Sequence, residues 1–202
     1  MADVAPTRSA ALELAAEKQL MKQGFGFLDE KRMLLAAEIL RTLRRYEAAE
    51  LEMAQCEDVA RKTLAAASER HGFDALQVYP APAEAPRPTA PKRVRYVGVP
   101  LREAEAWRIE GDPVAPPLDP SPEAERCRDA FRRWLELALE IGVLASNLER
   151  LGREYRRVER RAKALENVLI PEVDSSLKRV QEQLEVLDQE EAVRVRIAGR
   201  HV

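Results

Sequence analysis

Apolar positions recur every seven residues along two stretches of this chain. In the second stretch Ile141, Leu148, Tyr155, Ala162 and Leu169 fall seven apart, and Leu144, Leu151, Val158 and Leu165 fill the alternate positions. A heptad repeat held over about four heptads puts one apolar stripe on a helix and predicts a left-handed coiled coil. In the first stretch Ile39, Tyr46, Met53, Ala60 and Ala67 alternate with Thr42, Ala49, Cys56 and Thr63. Most of these side chains are small, which predicts that the two helices approach closely. Upstream, Leu12, Ala16 and Leu20 step by four, then Gly24-Phe25-Gly26-Phe27 interrupts, so the strict heptad is broken there. Glycine in a helix costs about 1 kcal/mol relative to alanine. Gly24 and Gly26 in one turn therefore predict close approach or bending. In the second helix the apolar series resumes after Leu169 at Val173, Leu177, Val180, Leu184 and Leu187. The four-residue step from Leu169 to Val173 predicts a stutter that locally unwinds the supercoil. Pro171 lies inside that step. It forfeits the hydrogen bond to the carbonyl of Asn167, which predicts a bend.

Proline placement sets the boundaries. Of thirteen prolines, eleven lie between Pro80 and Pro122. Proline interrupts helices, so long helices are predicted from about Ser9 to His71 and from about Pro122 to Ala198. Thr7 or Ser9 offers an N-cap to the first, and Arg70-His71-Gly72 reads as its C-terminus. Ser121-Pro122-Glu123 supplies an N-cap, a proline at the first helical position and an acid in the first turn. At 1.5 Å per residue the helices would measure roughly 90 Å and 115 Å. Helices of that length pair along their length rather than enclose a globular core. The predicted division is a long helix in residues 1–71, a proline-rich connector in 72–120 and a second long helix in 121–202. Within the connector, Pro80 to Pro91 reads as an extended linker. Arg93 to Val99 reads as a strand, with Trp107-Arg108-Ile109 as its candidate partner and Pro100 as a strand end. The predicted fold is all-α: an antiparallel two-helix coiled coil with a small β-hairpin or irregular cap between the helices.

Composition narrows the function. The chain carries 33 Lys and Arg against 35 Asp and Glu, for a formal net charge of −2. That balance lacks the basic excess of a nucleic-acid binder. No apolar run approaches the roughly 20 residues that span a bilayer, and the N-terminus lacks a signal-peptide pattern. These features predict a cytoplasmic protein without direct membrane insertion. Cys56 and Cys127 form no CxxC pair and read as small buried or half-buried residues. His71 and His201 are too few and too scattered for a metal site. Gly24-Phe25-Gly26 lacks the third glycine and the preceding strand of a dinucleotide loop. There is no phosphate-binding loop and no set of nucleophile, base and acid, so neither catalysis nor a cofactor is predicted.

One charge cluster stands apart. Arg150, Arg153, Arg156, Arg157, Arg160, Arg161 and Lys163 crowd a stretch whose acids are Glu154 and Glu159. In the heptad frame these cations avoid the seam and point outward. They form either a solvated face laced with salt bridges or a basic band that meets an acidic partner.

Three segments together resemble the D subunit of the V/A-type rotary ATPases. The first is Pro6-Thr7-Arg8 followed by the helix from Glu17 to Leu35, with Gly24, Leu28, Lys31, Arg32 and Leu34 or Leu35 at the family's characteristic positions. The second and more specific is RRAKALENVLIP, where Arg160, Arg161, Ala164, Leu165, Glu166, Val168, Ile170 and Pro171 match. The third is Gly98-Val99-Pro100. Lys163 stands where the family usually has Asn, and Met33 where it has an acid. The resemblance covers both helices, about two-thirds of the chain. It implies a central rotor shaft whose two helix ends enter a head of catalytic and non-catalytic subunits. It also implies a connecting region that faces a socket subunit of the membrane rotor and a small F subunit on the side of the shaft. ATP would be cleaved on the head, and the protein would be peripheral to the membrane. Lys31, Arg32, Arg157, Arg160, Arg161 and Glu166 are the candidate head contacts, and Gly24, Gly26 and Pro171 mark a bent upper shaft. Two other readings fit a long helical pair: a prefoldin-like chaperone subunit and a generic coiled-coil tether.

Overall fold

The computed structural model describes residues 5–77, 79–80, 92–103, 117 and 119–198. Helix α1 spans Arg8–Gln77, strands β1 and β2 span Lys92–Tyr96 and Val99–Glu103, and helix α2 spans Pro122–Ala164. A π-helical turn, Leu165–Leu169, joins α2 to α3, Ile170–Ala198. The chain is thus two long helices with a small antiparallel hairpin between them. It divides into two compact units: Met1–Leu34 with Tyr155–Val202, and Leu35–Glu154.

In the unit Leu35–Glu154 the predicted seam is realised. Thr42, Ala49, Ala60 and Ala67 of α1 are buried, and Ile39, Tyr46, Met53, Cys56 and Thr63 are half-buried between them. From α2 come Leu137, Leu144 and Leu151, all buried. Ion pairs flank the seam: Arg45–Glu140 at 3.8 Å, Arg133–Glu52 at 2.5 Å and Arg70–Glu123 at 3.3 Å. Rising numbers on α1 meet falling numbers on α2, so the helices run antiparallel. Cys127 is buried and Cys56 half-buried, both as free thiols. Burial pushes the Cys127 thiol up, and a hydrogen bond with Thr63 offsets part of that.

The far end of this unit is tied by side chains. Gly72 adopts φ 72° and ψ 160° inside α1. Only glycine occupies that region at low cost, so the helix breaks there. The His71 side chain, one residue earlier, reaches the hydroxyl of Ser121 at 2.5 Å and the carboxylate of Asp119 at 3.4 Å. Ser121 in turn caps α2: its Oγ accepts from the Ala124 N–H at 3.2 Å. The end of α1 and the start of α2 are thereby pinned to one another. At the other terminus Thr7, rather than Ser9, caps α1, with the Ala10 N–H bonded to its Oγ1 at 3.1 Å.

The hairpin corrects the expected strand bounds: Arg93 to Val99, expected as one strand, is divided between β1 and β2. The partner of β1 is Val99–Glu103, in the register Lys92↔Glu103 to Tyr96↔Val99. Trp107-Arg108-Ile109 and residues 81–91 of the expected linker lie outside the described residues. Val97 and Gly98 form the turn with φ 48° and 86°. Positive φ at both positions suits the right-handed twist of a two-residue hairpin. Valine there costs about 1–2 kcal/mol, and no Asn-Gly signature announced the turn. Pro100 sits inside β2 opposite Arg95. It is tolerated because pairs alternate between bonded and non-bonded, and this pair is non-bonded, with the missing N–H on the outer side.

That outer side of β2 docks on α2. The buried Asn147 accepts from the Arg102 N–H at 2.9 Å and donates to the Arg102 carbonyl at 2.7 Å. Arg150 donates to the Pro100 carbonyl at 3.2 Å. One amide side chain thus stands in for a neighbouring strand. Asn147→Ala should leave both Arg102 groups unpaired and lower stability by about 1–3 kcal/mol. Thermal unfolding with hydrogen exchange at the Arg102 amide checks this, and an unchanged melting temperature would rule it out.

Candidate functional site

Every residue singled out as a candidate head contact or bend lies in the unit Met1–Leu34 with Tyr155–Val202. Its inward rows differ from the expected ones. On α1 the row Ala11, Leu14, Lys18, Met21, Phe25 and Leu28 is half-buried. Leu12 and Leu20, of the series that steps by four, are 73% and 69% exposed. On the opposite helix Val158 and Ala162 are buried and Leu165 half-buried, and the row continues through Ile170, Val173, Leu177 and Val180.

The step from Leu165 to Ile170 is five residues, and its cause is the π turn. The Ile170 N–H bonds to the carbonyl of Leu165, one residue further back than in an α-helix. Pro171, second residue of α3, has no N–H to continue an α-helical ladder. The π turn inserts one residue just before it and lets the helix restart with proline in its first turn. The register change therefore falls between Leu165 and Ile170, not between Leu169 and Val173. Leu169, expected in the seam, is exposed. Immediately downstream the Ser175 and Ser176 hydroxyls donate to the carbonyls of Pro171 and Glu172, at 2.8 and 2.9 Å. Hydroxyls that bond back in this way often bend helices.

Gly24 faces this turn. A Cβ built on it would stand 3.9 Å from Leu165 Cδ1, ordinary contact, whereas one on Gly26 would meet nothing within 4 Å. Both glycines stay helical within α1, so neither is required by packing at its own position.

The cations sort into paired and unpaired. Arg32 holds Asp29 at 2.6 Å, and Lys163 holds Glu159 at 2.9 Å. Lys163 first, then Arg32, keeps the Glu159 carboxyl below its usual range. Lys31 is half-buried, and it and Arg156 are both engaged. Arg157, Arg160 and Arg161 are exposed, and no carboxylate among the described residues pairs with them. Glu166 is exposed on the π turn. In the other unit Arg153 pairs with Glu149 at 3.5 Å and Arg150 serves the hairpin. The basic cluster thus leaves three guanidiniums on the α2 surface next to the π turn, with Glu166 just beyond them.

Two interhelical ion pairs escaped the sequence reading: Arg8–Asp188 at 3.3 Å, and Lys18 with Asp174. The Lys18 pair is signalled by a charged residue standing in an otherwise apolar inward row. Lys18, mainly through its hydrogen bond, holds the Asp174 carboxyl below the ordinary range.

Among the described residues no group of three or more His, Cys, Asp or Glu side chains converges as a metal site would require. The family described as the ATP synthase D subunit matches residues 10–200. The V-type ATP synthase D subunit of Thermotoga neapolitana is 26% identical over 195 residues, covering 96% of this chain and 95% of that protein. The corresponding Thermus thermophilus protein is 29% identical, covering 99% and 90%. The A-type ATP synthase D subunit of Thermococcus gammatolerans is 27% identical, covering 96% and 92%.

Two outcomes are expected for this unit. Gly26→Ala meets no steric obstacle, so it should raise stability by roughly 0.5–1 kcal/mol; a lower melting temperature would show that helical glycine here relieves strain. A depressed carboxyl stabilises above its unfolded pKa, and that contribution is lost as pH falls through the folded pKa. Asp174→Asn should therefore flatten the acid limb of the melting-temperature profile below the ordinary carboxylate range and leave the alkaline limb unchanged.

Proposed function

The chain belongs to the family of ATP synthase D subunits, and we propose that it is the central stalk of a V/A-type rotary ATPase. In this reading it transmits torque between the nucleotide-processing head and the ion-translocating membrane rotor, with no catalytic site of its own. The observation that carries the reading is the family match over residues 10–200, laid on two long antiparallel helices. A helical pair locked by a seam and by flanking ion pairs resists twisting as a unit. No helix among the described residues is long and apolar enough to cross a membrane, which suits a peripheral, cytoplasmic place in the complex.

The unit that contains both termini supports a head-contacting role. It exposes Leu12, Leu20, Phe27 and Met33 on α1 and Val193, Val195 and Ile197 on α3. Large exposed apolar side chains in such number mark an interaction surface. Arg157, Arg160 and Arg161 add cations that no carboxylate among the described residues pairs, and Lys31, Arg32 and Glu166 complete the candidate contact set. The inserted π turn at Leu165–Leu169 breaks the helical symmetry of this unit, which suits a rotor that must present different faces to successive head subunits. A small F subunit on the side and a socket subunit at the membrane end complete the proposed partners. The prefoldin-like and tether readings find no support in the family match.

Reversing Lys31, Arg32, Arg157 and Arg161 to Glu together should lower coupled ATPase or pumping by about tenfold or more in the assembled complex. Far-UV helicity should stay unchanged. Full coupling in that variant would overturn the basic contact.

A further inference from the structure

Both edges of the hairpin carry information, and they differ. Antiparallel pairs alternate between residues that bond each other and residues whose N–H and C=O point outward. Arg102 spends both of its groups on Asn147, and Pro100 offers its carbonyl to Arg150. Those two positions of β2 are therefore the outward ones, and their opposites on β1 are Arg93 and Arg95. The N–H and C=O of Arg93 and Arg95 thus point away from β2. Among the described residues nothing pairs with them. Among the described residues, one edge of this two-stranded sheet is sealed and the other is open.

The side chains on the open edge have one sign. Directly opposed residues share a face, so Arg93, Arg95, Arg102 and Pro100 form the outer face of the hairpin. Val94, Tyr96, Val99 and Leu101 lie on the other, where Val99 is buried. Arg93 and Arg102 stand directly opposite each other, a like-charge pair that weakens a hairpin. All three guanidiniums are exposed, and no carboxylate among the described residues meets them. Glu103 is on the other face, across from Lys92.

We propose that β1 is the docking edge for an extended acidic segment of a partner protein, which adds as a third strand with carboxylates at alternate positions. Strand addition supplies the missing partners for the Arg93 and Arg95 backbone. The two-residue side-chain period places every second residue of the added strand on the arginine face, where carboxylates pair with guanidiniums. A lipid surface fits less well, because the outer face has, among the described residues, no large apolar side chain to insert beside the charge. Nucleic acid fits less well too, because among the described residues that face has no aromatic for base stacking, and the chain has net charge −2. This edge lies in the unit Leu35–Glu154 and does not depend on the head contacts proposed above.

The test uses the full chain and a short fluorescent peptide alternating Glu with Thr, followed by anisotropy at low salt. The peptide should bind, and added salt should weaken it. A twin N-methylated at its glutamates, the residues opposite Arg93 and Arg95 in an antiparallel addition, keeps the charge but cannot pair. It should bind about tenfold weaker or worse, as should the parent peptide to Arg93→Gln/Arg95→Gln. The twin arm uses the unaltered chain, so it decides the matter even where the double variant folds poorly. No binding of the parent peptide, equal binding of the twin, or retention on phosphatidylglycerol vesicles in place of peptide binding would each overturn the proposal.

Discussion

Two helices packed side by side have a single interface, and within each unit of this chain nearly all helix–helix burial falls on that line. Among the described residues the hairpin is the one addition. A globular core lets a poor contact be compensated from several directions, whereas a seam does not. The residue at each seam position therefore sets the local distance between the helices. By the register of the ion pairs, Leu137 and Leu144 of α2 fall beside Ala49 and Thr42 of α1, whereas Ala60 and Ala67 fall beside the small Cys127 and Ala124. The same geometry leaves much apolar surface outside the seam, which a long helical pair covers only by meeting other proteins.

A second constraint acts at one atom. Pro171 has no N–H, and the helix that contains it still has to restart. The π turn before it solves this by adding a residue, and an extra residue rotates the downstream helix by about 100° relative to an uninterrupted one. That rotation turns Leu169 to solvent and brings Ile170 and Val173 inward. The unit containing both termini thereby carries a phase shift that the rest of the seam lacks. Gly24 lies across from the first residue of that turn, so the shift meets one of the glycines of α1.

How far the sequence foretold this depends on the kind of information. Strict heptads translated directly into burial, from Ile39 to Ala67 and from Ile141 to Leu165. Leu12, Ala16 and Leu20 leave the seam because steps of four precess by about 40° each on a 3.6-residue helix. The row that turned inward alternates three and four, through Leu14, Lys18, Met21, Phe25 and Leu28. A period-based reading passes over it because Lys18 is charged. The hairpin partner was missed for a different reason. Val97-Gly98 lacks a turn signature, and Pro100 is acceptable in β2 only because of its bonding phase. Asn147 was invisible to pattern, since its role is to imitate a strand for one residue of β2. For the candidate contacts, the outward direction of the basic cluster was legible from the heptad. Which cations are paired was not, because that depends on side-chain reach.

Pairing is what separates the two kinds of charged surface on these helices. Across most of their length acids and bases stand four apart and neutralise each other, as in Glu57 with Arg61, Glu149–Arg153, Glu159–Lys163 and Glu190–Arg194. Such a face is a solvated helix surface and needs no further reason. Arg157, Arg160 and Arg161 break that habit, three or four residues apart and with no carboxylate among the described residues paired to them. Like charges at that spacing destabilise a helix by about 0.2–0.5 kcal/mol per pair. Arg93 opposite Arg102 breaks it again in the hairpin. Neither arrangement is asked for by the seam, the caps or the strand register, since all of these are satisfied by other residues. Among the described residues these cations meet no carboxylate, and the seam, caps and register do not call for them, which is the observation behind the acidic partners proposed for both surfaces.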